Sequence, residues 1–343
     1  MKYRSTSSAW VRGVASMFAS QGVDVAALFA DAGLSLSLLD QADQRWPTEQ
    51  VSLLWQLAAE RAGNPAVALT NPHLARPDHY GIVGYAMMSS PDLLTGLGRL
   101  IRYLRIVSDA AVISLVTEQE GCWVRLDLLG GARAVPRQRY EYGLLTLLTS
   151  CRWMLGHSLR PQSASFSFSA PEDVGPYVEA FGCPLLFDAI SNGFFIAERD
   201  LLSKLPTAIP QLADLHDRMA GLALRKLETP QTTRRGQEAI ACRLQDGSPR
   251  RSQIASDLGL SDRTFQRRLG DDGTSFTDLV DDTRKELAQR YLSDPQTSLS
   301  EIVYLLGYSD QSTFFRACTR WFGRPPGEYR VRLALDLADR VGV

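Results

Sequence analysis

The sequence is poor in the residues that covalent and metal chemistry need. Its 343 residues hold five cysteines and four histidines. Cys122, Cys151, Cys183, Cys242 and Cys318 are scattered, with no C-x-x-C pair and no histidine at metal-ligand spacing, so no clustered metal site is expected. An odd, dispersed set suits a reducing compartment, where thiols stay free. His73, His79, His157 and His216 fall in no G-x-S-x-G, H-E-x-x-H or P-loop context, which removes the common hydrolase, metalloprotease and nucleotide-binding motifs. Long apolar runs are lacking too. No stretch approaches the ~18 residues of a membrane span, and the first residues lead into no signal-type apolar segment. The expectation is a cytoplasmic protein that is not an enzyme, with no catalytic residue, metal or cofactor.

An excess of one charge is also missing. The formal net charge is -1, which argues against a protein that coats nucleic acid through bulk charge and leaves open a sequence-specific binder with a local positive face. Up to residue 230 the chain carries 20 Lys+Arg against 22 Asp+Glu, and beyond it 17 against 16. Placement, not total charge, has to carry any DNA binding. The length exceeds that of one ordinary compact domain, so two are expected.

What is present is a repeat near the C-terminal end. Ile254-Ala255-Ser256-Asp257-Leu258-Gly259-Leu260-Ser261-Asp262 is answered 48 residues later by Ile302-Val303-Tyr304-Leu305-Leu306-Gly307-Tyr308-Ser309-Asp310. After the turn the offset becomes 49, with Thr264-Phe265-Gln266-Arg267 answered by Thr313-Phe314-Phe315-Arg316. The spacing predicts a short helix with Ile254 and Leu258 on one face. Gly259 closes it in the left-handed conformation, and Ser261 caps the next helix. That second helix buries Phe265 and Leu269 and turns Arg263, Gln266, Arg267 and Arg268 the other way. In the second unit Ser309 or Asp310 caps, and Phe314, Cys318 and Phe322 form the apolar stripe. The extra residue is expected at the start of the second helix of that unit. Each unit reads as a helix-turn-helix, and Phe276 to Leu292 reads as a connecting helix about 25 Å long at ~1.5 Å per residue.

The closing stretch, Phe314 to Arg330, matches F-x-R-x-F-x-x-x-x-G-x-x-P-x-x-Y-R except that Cys318 stands where Phe is usual. With the tandem units, it resembles the DNA-binding domain of the AraC/XylS family of bacterial transcription regulators. A Cys at that position is a smaller buried hydrophobe, and slightly lower stability without loss of function is expected. The resemblance implies that the second helix of each unit enters the major groove. It implies base contacts from Arg263, Gln266 and Arg267, and from Gln311, Ser312, Phe315 and Arg316. Arg suits guanine, Gln adenine, and Phe315 a thymine methyl. Thr264, Arg268, Thr313 and Arg330 are then placed for phosphates.

The first two thirds read as helices over 8–62, with Thr48 as a cap and Gly63 as a stop. An amphipathic helix follows over 91–104, capped by Ser90. A hairpin at 111–118 and 121–129, a helix over 138–156, and strands at 163–169 and 193–197 complete the pattern, which indicates α+β. Tyr80-Gly81-Ile82-Val83-Gly84-Tyr85 through Pro91, Arg102-Tyr103, and Phe181-Gly182-Cys183-Pro184 with Phe187 resemble the AraC-type arabinose-binding/dimerisation domain, over about residues 24–205. That resemblance implies a small-molecule sensor that dimerises, without implying arabinose. Arg76, His79, Tyr80, Tyr85, Arg102, Tyr103 and Arg105 combine aromatic walls with cationic groups and are the candidate effector-binding residues. They read equally well as core tyrosines and surface arginines. Over 211–227, Leu212, Leu215, Met219, Leu222 and Leu227 form an apolar seam for a dimer contact or for packing on the same domain.

The expected architecture is an α+β N-terminal sensor domain followed by an all-α domain of two tandem helix-turn-helix units joined by a long helix. The domains are set at 1–228 for sensing and dimerisation, 229–235 for a polar linker, 236–332 for DNA binding and 333–343 for a tail. The expected function is a homodimeric transcription regulator, an activator, with double-stranded promoter DNA, a small-molecule effector and RNA polymerase as partners. Two rivals remain. One is a regulator without a ligand, controlled by a partner protein or by abundance. The other is an enzyme fused to a DNA-binding domain, which needs a reactive cysteine.

Overall fold

The computed structural model describes residues 4–41, 43–70 and 76–341. His73 and the last two residues of the expected tail lie outside them. The chain divides into two compact units, Met1–Leu224 and Arg225–Val343. In unit 1, a short ribbon pairs β1 (Ser5–Ser7) antiparallel with β2 (Arg45–Pro47) and frames two helices, α1 (Ser8–Ser20) and α2 (Val25–Asp31). The third helix of this layer, α3 (Thr48–Ala62), follows β2 directly. Phe18, Phe29, Trp46 and Trp55 fill the core of this layer. Gly63 ends α3 in the left-handed conformation, at φ 56°. Thr48 does not cap α3. Its N-cap is Pro47, which has no side chain to accept a bond, and the Thr48 hydroxyl is buried instead. The strand β2 lies inside the stretch expected to be helical, because Trp46 is drawn inward while Arg45 pairs with the backbone of Ser5.

A second core forms around helices and a sheet. Helices α4 (Ile82–Met88) and α5 (Leu93–Val107) precede the hairpin of β3 (Ala111–Glu118) and β4 (Gly121–Leu128). Asp92 caps α5 by accepting from the Thr95 N–H at 2.7 Å. Ser90, expected in that role, instead donates to the Ala86 carbonyl and accepts from Arg99. The long helix α6 (Arg137–Leu155) leads to β5 (Ser163–Ser165), α7 (Gly175–Phe181), β6 (Leu185–Leu186), β7 (Gly193–Ala197) and α8 (Glu198–Leu201). The five-stranded sheet runs β3-β4-β7-β5-β6, with β5 and β6 parallel and the other neighbours antiparallel. Cys122, Val124 and Leu126 alternate into the core from β4, as expected of a sheet with one face covered. The α+β expectation therefore describes unit 1. The helix α9 (Pro210–Glu228) closes it.

Unit 2 is helical. It contains α10 (Gln231–Arg243), α11 (Arg251–Asp257), α12 (Asp262–Asp271), α13 (Phe276–Leu292), α14 (Leu299–Leu305), α15 (Gln311–Phe322) and α16 (Pro326–Val341). The stretch expected as a linker is mostly helix. Only Thr229 and Pro230 separate α9 from α10, and Pro230, with its fixed φ, starts the new helix. The expected tail likewise continues α16. Two cores lie in this unit. Ile240, Ile254, Phe265, Leu269 and Leu279 fill the first, and Ala288, Leu292, Ile302, Phe314 and Cys318 the second. Gly236 lets α10 approach closely, since a Cβ there would come within 2.8 Å of Leu279 and 3.2 Å of Phe265.

Candidate nucleic-acid interface and buried cavity

The helix pairs α11/α12 and α14/α15 repeat one construction. Gly259 and Gly307 close the first helix of each pair at φ +67° and +66°. Ser261 caps α12 by accepting from the Thr264 N–H at 3.2 Å, and Asp310 caps α15 by accepting from the Thr313 N–H at 2.8 Å. The extra residue of the second pair is therefore Ser309, in the turn. It lies before the helix rather than at its start, so both second helices begin in the same register relative to their caps.

That register decides which side chains face outward. At about 100° per residue, with Phe265 at zero and Leu269 at roughly 40°, Arg263 and Arg267 fall at roughly 160° and 200°, opposite the buried face. Gln266 lies on one shoulder, and Thr264 and Arg268 on the other. In α15, with Phe314 and Cys318 buried, Ser312 and Arg316 take the same two outward positions. Arg263, Gln266, Arg267, Arg268, Gln311, Ser312 and Arg316 are all exposed. None of the three outward arginines Arg263, Arg267 and Arg268 is held by a carboxylate among the described residues. Arg316 donates to the Thr313 hydroxyl at 3.3 Å and lies near enough to the capping Asp310 to help the Thr313 N–H hold that carboxyl below its ordinary range. Phe315 is half-buried beside Phe314, at a ring separation of 6.1 Å.

Other arginines in unit 2 are occupied. Arg243 grips Asp257 through two bonds of 2.5 and 2.7 Å, and Arg251 grips Asp262 through two of 2.7 Å. Each of these carboxylates is held below its ordinary range chiefly by the hydrogen bonds it accepts from its arginine. Arg284 donates to the carbonyls of Leu306 and Gly307 at 2.9 and 3.1 Å, and its guanidinium lies over the Tyr308 ring at 4.5 Å. It thereby satisfies the carbonyl end of α14. Asp281 of α13 accepts from Arg320 and from the Trp321 indole N–H, tying α15 to α13. Arg330, expected at a phosphate, donates to the Thr297 carbonyl at 2.7 Å and is half-buried. Sequence spacing alone does not separate these internal clamps from the free arginines, because their partners lie up to 39 residues away. Tyr329 stacks on Phe322 at 4.2 Å at the edge of the second core.

In unit 1 the seven expected effector residues do not line one pocket. Arg76 and Arg105 are exposed. His79 is wedged against Gly13, and burial pushes its pKa down. Tyr85 is half-exposed and lies beside the His216 ring, tilted, at 5.8 Å. Tyr103 donates to Asp217 at 2.9 Å, and Arg102 pairs with the same carboxylate at 3.5 Å on an open polar groove between α5 and α9. Of the seven, Tyr80 alone lines a partly open cavity among the described residues. That cavity has a volume of about 50 Å³ and lies between the two cores. Its aromatic wall is Trp10, Trp55, Tyr80 and Tyr142, with ring separations of 5.1 to 5.5 Å. Its aliphatic wall includes Leu104, Val107, Ile113 and Leu126.

One cation lines the cavity. Arg139 of α6 is 8% exposed and donates to the Ser52 hydroxyl at 2.9 Å. Burial pushes its pKa down to about 10, so it stays charged at neutral pH. The sequence reading missed Arg139 because it sits at the start of a helix read only as core. Its partner lies 87 residues upstream.

Cys151, Cys183 and Cys318 do not suit reactive thiol chemistry. Burial pushes the thiols of Cys151 and Cys318 up to about 12 and that of Cys183 to about 11, the reverse of an activated nucleophile. Among the described residues no cluster of His, Cys, Asp and Glu is arranged to hold a metal ion, and no helix is long and apolar enough to cross a membrane.

A mixed α/β unit followed by a helical unit with two like helix pairs points to a DNA-binding transcription regulator. Residues 22–205 match the arabinose-binding domain of AraC transcription regulators, and residues 254–332 match a helix-turn-helix domain. The chain belongs to the AraC family of transcription regulators, which are not enzymes. It is 27% identical to the ornithine utilization regulator of Pseudomonas aeruginosa, over 94% of this chain and 95% of that protein. It is 30% identical to the HTH-type transcriptional regulator VirS of Mycobacterium tuberculosis, over 75% and 77% of the two chains. The crystal structure of the transcriptional regulator CdpR from Pseudomonas aeruginosa aligns over 88% of this chain and 95% of that one, at 22% identity and a TM-score of 0.44.

Proposed function

We propose that the protein is a homodimeric activator of transcription, switched by a small molecule bound in unit 1. The two helix pairs act as tandem helix-turn-helix units spaced by α13, and α12 and α15 enter successive turns of the major groove. The observation that carries this reading is the shared register of the two helices, with Arg263 and Arg267 answered by Ser312 and Arg316 on the outward face. Arg263, Gln266 and Arg267, with Gln311, Ser312, Phe315 and Arg316, read bases. Thr264, Arg268 and Thr313 position the protein on phosphates. Arg330 supports the fold of the second pair and reaches a phosphate only if it releases Thr297.

Dimerisation uses α9, where Leu212, Leu215, Met219 and Leu222 are each 41 to 51% exposed at spacings of three and four residues. Effector binding favours one arrangement of the two DNA-binding units over another, and so favours paired sites beside a promoter, where RNA polymerase is recruited. The test is selection of bound duplexes from a random-sequence pool by the full chain, followed by footprinting and a reporter assay. Two protected major-groove segments about one helical turn apart per chain are expected, with reporter output rising on binding. Uniform protection without sequence preference refutes the reading. A ligand-free regulator is the second reading, and the cavity beside a buried cation weighs against it.

A further inference from the structure

We infer that the effector of this protein is a small organic carboxylate with an apolar body, bound in the cavity between the two cores of unit 1, its charge on Arg139 and its body against Trp10, Trp55 and Tyr142. The inference rests on the reading of unit 1 as a small-molecule sensor and gives that reading a site and a ligand class. Three observations lead to it. First, Arg139 is more than nine-tenths buried, yet no carboxylate pairs with it among the described residues; its bond is to the neutral Ser52 hydroxyl. A buried cation without a counter-charge is costly, and a bound anion removes that cost. Arginine also presents a planar fork that fits a carboxylate through two parallel bonds.

Second, the rest of the lining disfavours a polyol or a diamine. Facing the guanidinium are aromatic and aliphatic walls, and the polar side chains Thr6 and Ser108 are already bonded to each other at 3.1 Å. A sugar would bring hydroxyls to walls that are mostly apolar, with tyrosine hydroxyls and indole N–H groups the main polar groups left to meet them, and a cationic ligand would meet Arg139 with no carboxylate in the lining to hold it. Third, the volume of about 50 Å³ is room for a few water-sized groups, so a carboxylate head fits the cavity as it stands and the apolar body enters only by displacing a wall.

The position also supplies a route to a response. Trp10 and Trp55 come from the helical layer of α1 and α3. Leu126 comes from the sheet and Arg139 from α6. The ligand would therefore touch both layers at the seam that Trp10 and Tyr142 already bridge, and its binding energy falls on their relative placement.

The full-length protein is titrated by calorimetry with sodium hexanoate and sodium benzoate, and with hexanamide and benzamide as neutral matches. At least one acid is expected to bind saturably, with its amide at least tenfold weaker. Arg139→Gln should remove that preference, lowering affinity for the acid at least tenfold. If Arg139→Gln does not fold by circular dichroism, Ala111→Leu decides, since it fills the cavity rim and keeps the guanidinium. It should lower acid affinity at least tenfold. Equal affinity for acid and amide, binding that sodium chloride reproduces at equal ionic strength, or no binding by any of the four compounds overturns the inference. So does a binding-competent Arg139→Gln or Ala111→Leu protein. Gel-shift assays on the same samples with selected duplex separate the two failures. DNA binding without carboxylate binding sinks only the site, whereas loss of specific DNA binding in the wild type sinks the regulator reading.

Discussion

Replacing Arg267 by alanine tests the base-reading assignment where it is most exposed to failure. Arg267 lies opposite the buried Phe265 and Leu269 on α12, and its head is not engaged by any carboxylate among the described residues. The substitution therefore removes no internal contact of the kind that Arg251 or Arg284 makes, and folding should be unaffected. A bidentate arginine contact to a base is worth about 1–3 kcal/mol, so the selected duplex should bind roughly 5- to 150-fold more weakly at fixed salt. A scrambled duplex should be nearly unaffected. Arg316→Ala should act alike on the other half of the site. Because the two side chains sit on separate helices with separate cores, the losses should add within about 0.5 kcal/mol. Arg268→Ala should instead weaken both duplexes and lower the log–log salt slope by about 0.9. Fluorescence anisotropy with labelled duplexes at several salt concentrations measures all of these. Unchanged affinity of Arg267→Ala for the selected duplex, or an equal loss on the scrambled one, would falsify the base-reading role.

Further outcomes follow from the packing. The turn glycines Gly259 and Gly307 share a left-handed backbone, but a Cβ on Gly307 would meet the Leu244 carbonyl at 2.2 Å while Gly259 has open space. Gly259→Ala should destabilise unit 2 by about 1–2 kcal/mol and Gly307→Ala by roughly 2–5, as read from urea midpoints; equal losses contradict the close approach. Glu141 is fully buried, accepts from Tyr177, and is raised by burial to a pKa of about 7. A raised carboxyl favours the fold fully below its ordinary range, and that contribution is lost as pH climbs through 7. From pH 5 to 8 this group should remove on the order of 1–3 kcal/mol of stability, and Glu141→Gln should flatten the change. An identical pH profile for the variant counts against the buried neutral acid. Leu215→Glu with Met219→Glu should convert a dimer into a monomer by light scattering, and an unchanged mass removes α9 from the interface.

Local chemistry made much of unit 2 readable. Gly259, Ser261 and the Phe265/Leu269 stripe are short-range signals, and α13 runs over the same residues that its apolar spacing marks out. The choice between Ser309 and Asp310 as cap needed geometry, since both side chains can accept a backbone N–H. The difference between a free and a clamped arginine was not readable at all. Arg267 and Arg320 look alike until Asp281 is brought across from another helix. Unit 1 yielded its hairpin and its long helices for the same local reasons. Its cavity did not emerge, because it is assembled from elements spread over 138 residues, between Thr6 and Gly143. Tyr80 was found through its aromatic neighbours in sequence. Arg139 was not, since nothing near it in the chain marks a buried cation that lacks a counter-charge.

The helix α13 belongs to both cores of unit 2. Leu279 and Val280 lie in the first, and Ala288 and Leu292 in the second. Nine residues separate Leu279 from Ala288, so at about 100° per residue the two faces point to opposite sides of one rod. Phe265 and Leu269 of α12 pack into the first of these cores and Phe314 and Cys318 of α15 into the second, so each proposed reading helix is held against its own side of a common shaft. Used on DNA, such a body is a caliper with fixed jaws. One base pair inserted between its two half-sites shifts the second by ~3.4 Å and turns it by about 35°. The duplex, not the protein, then has to bend or twist to restore the fit. Binding sites for one chain should accordingly tolerate substitutions between the halves far better than insertions, and any freedom of spacing should lie between the two copies of the dimer.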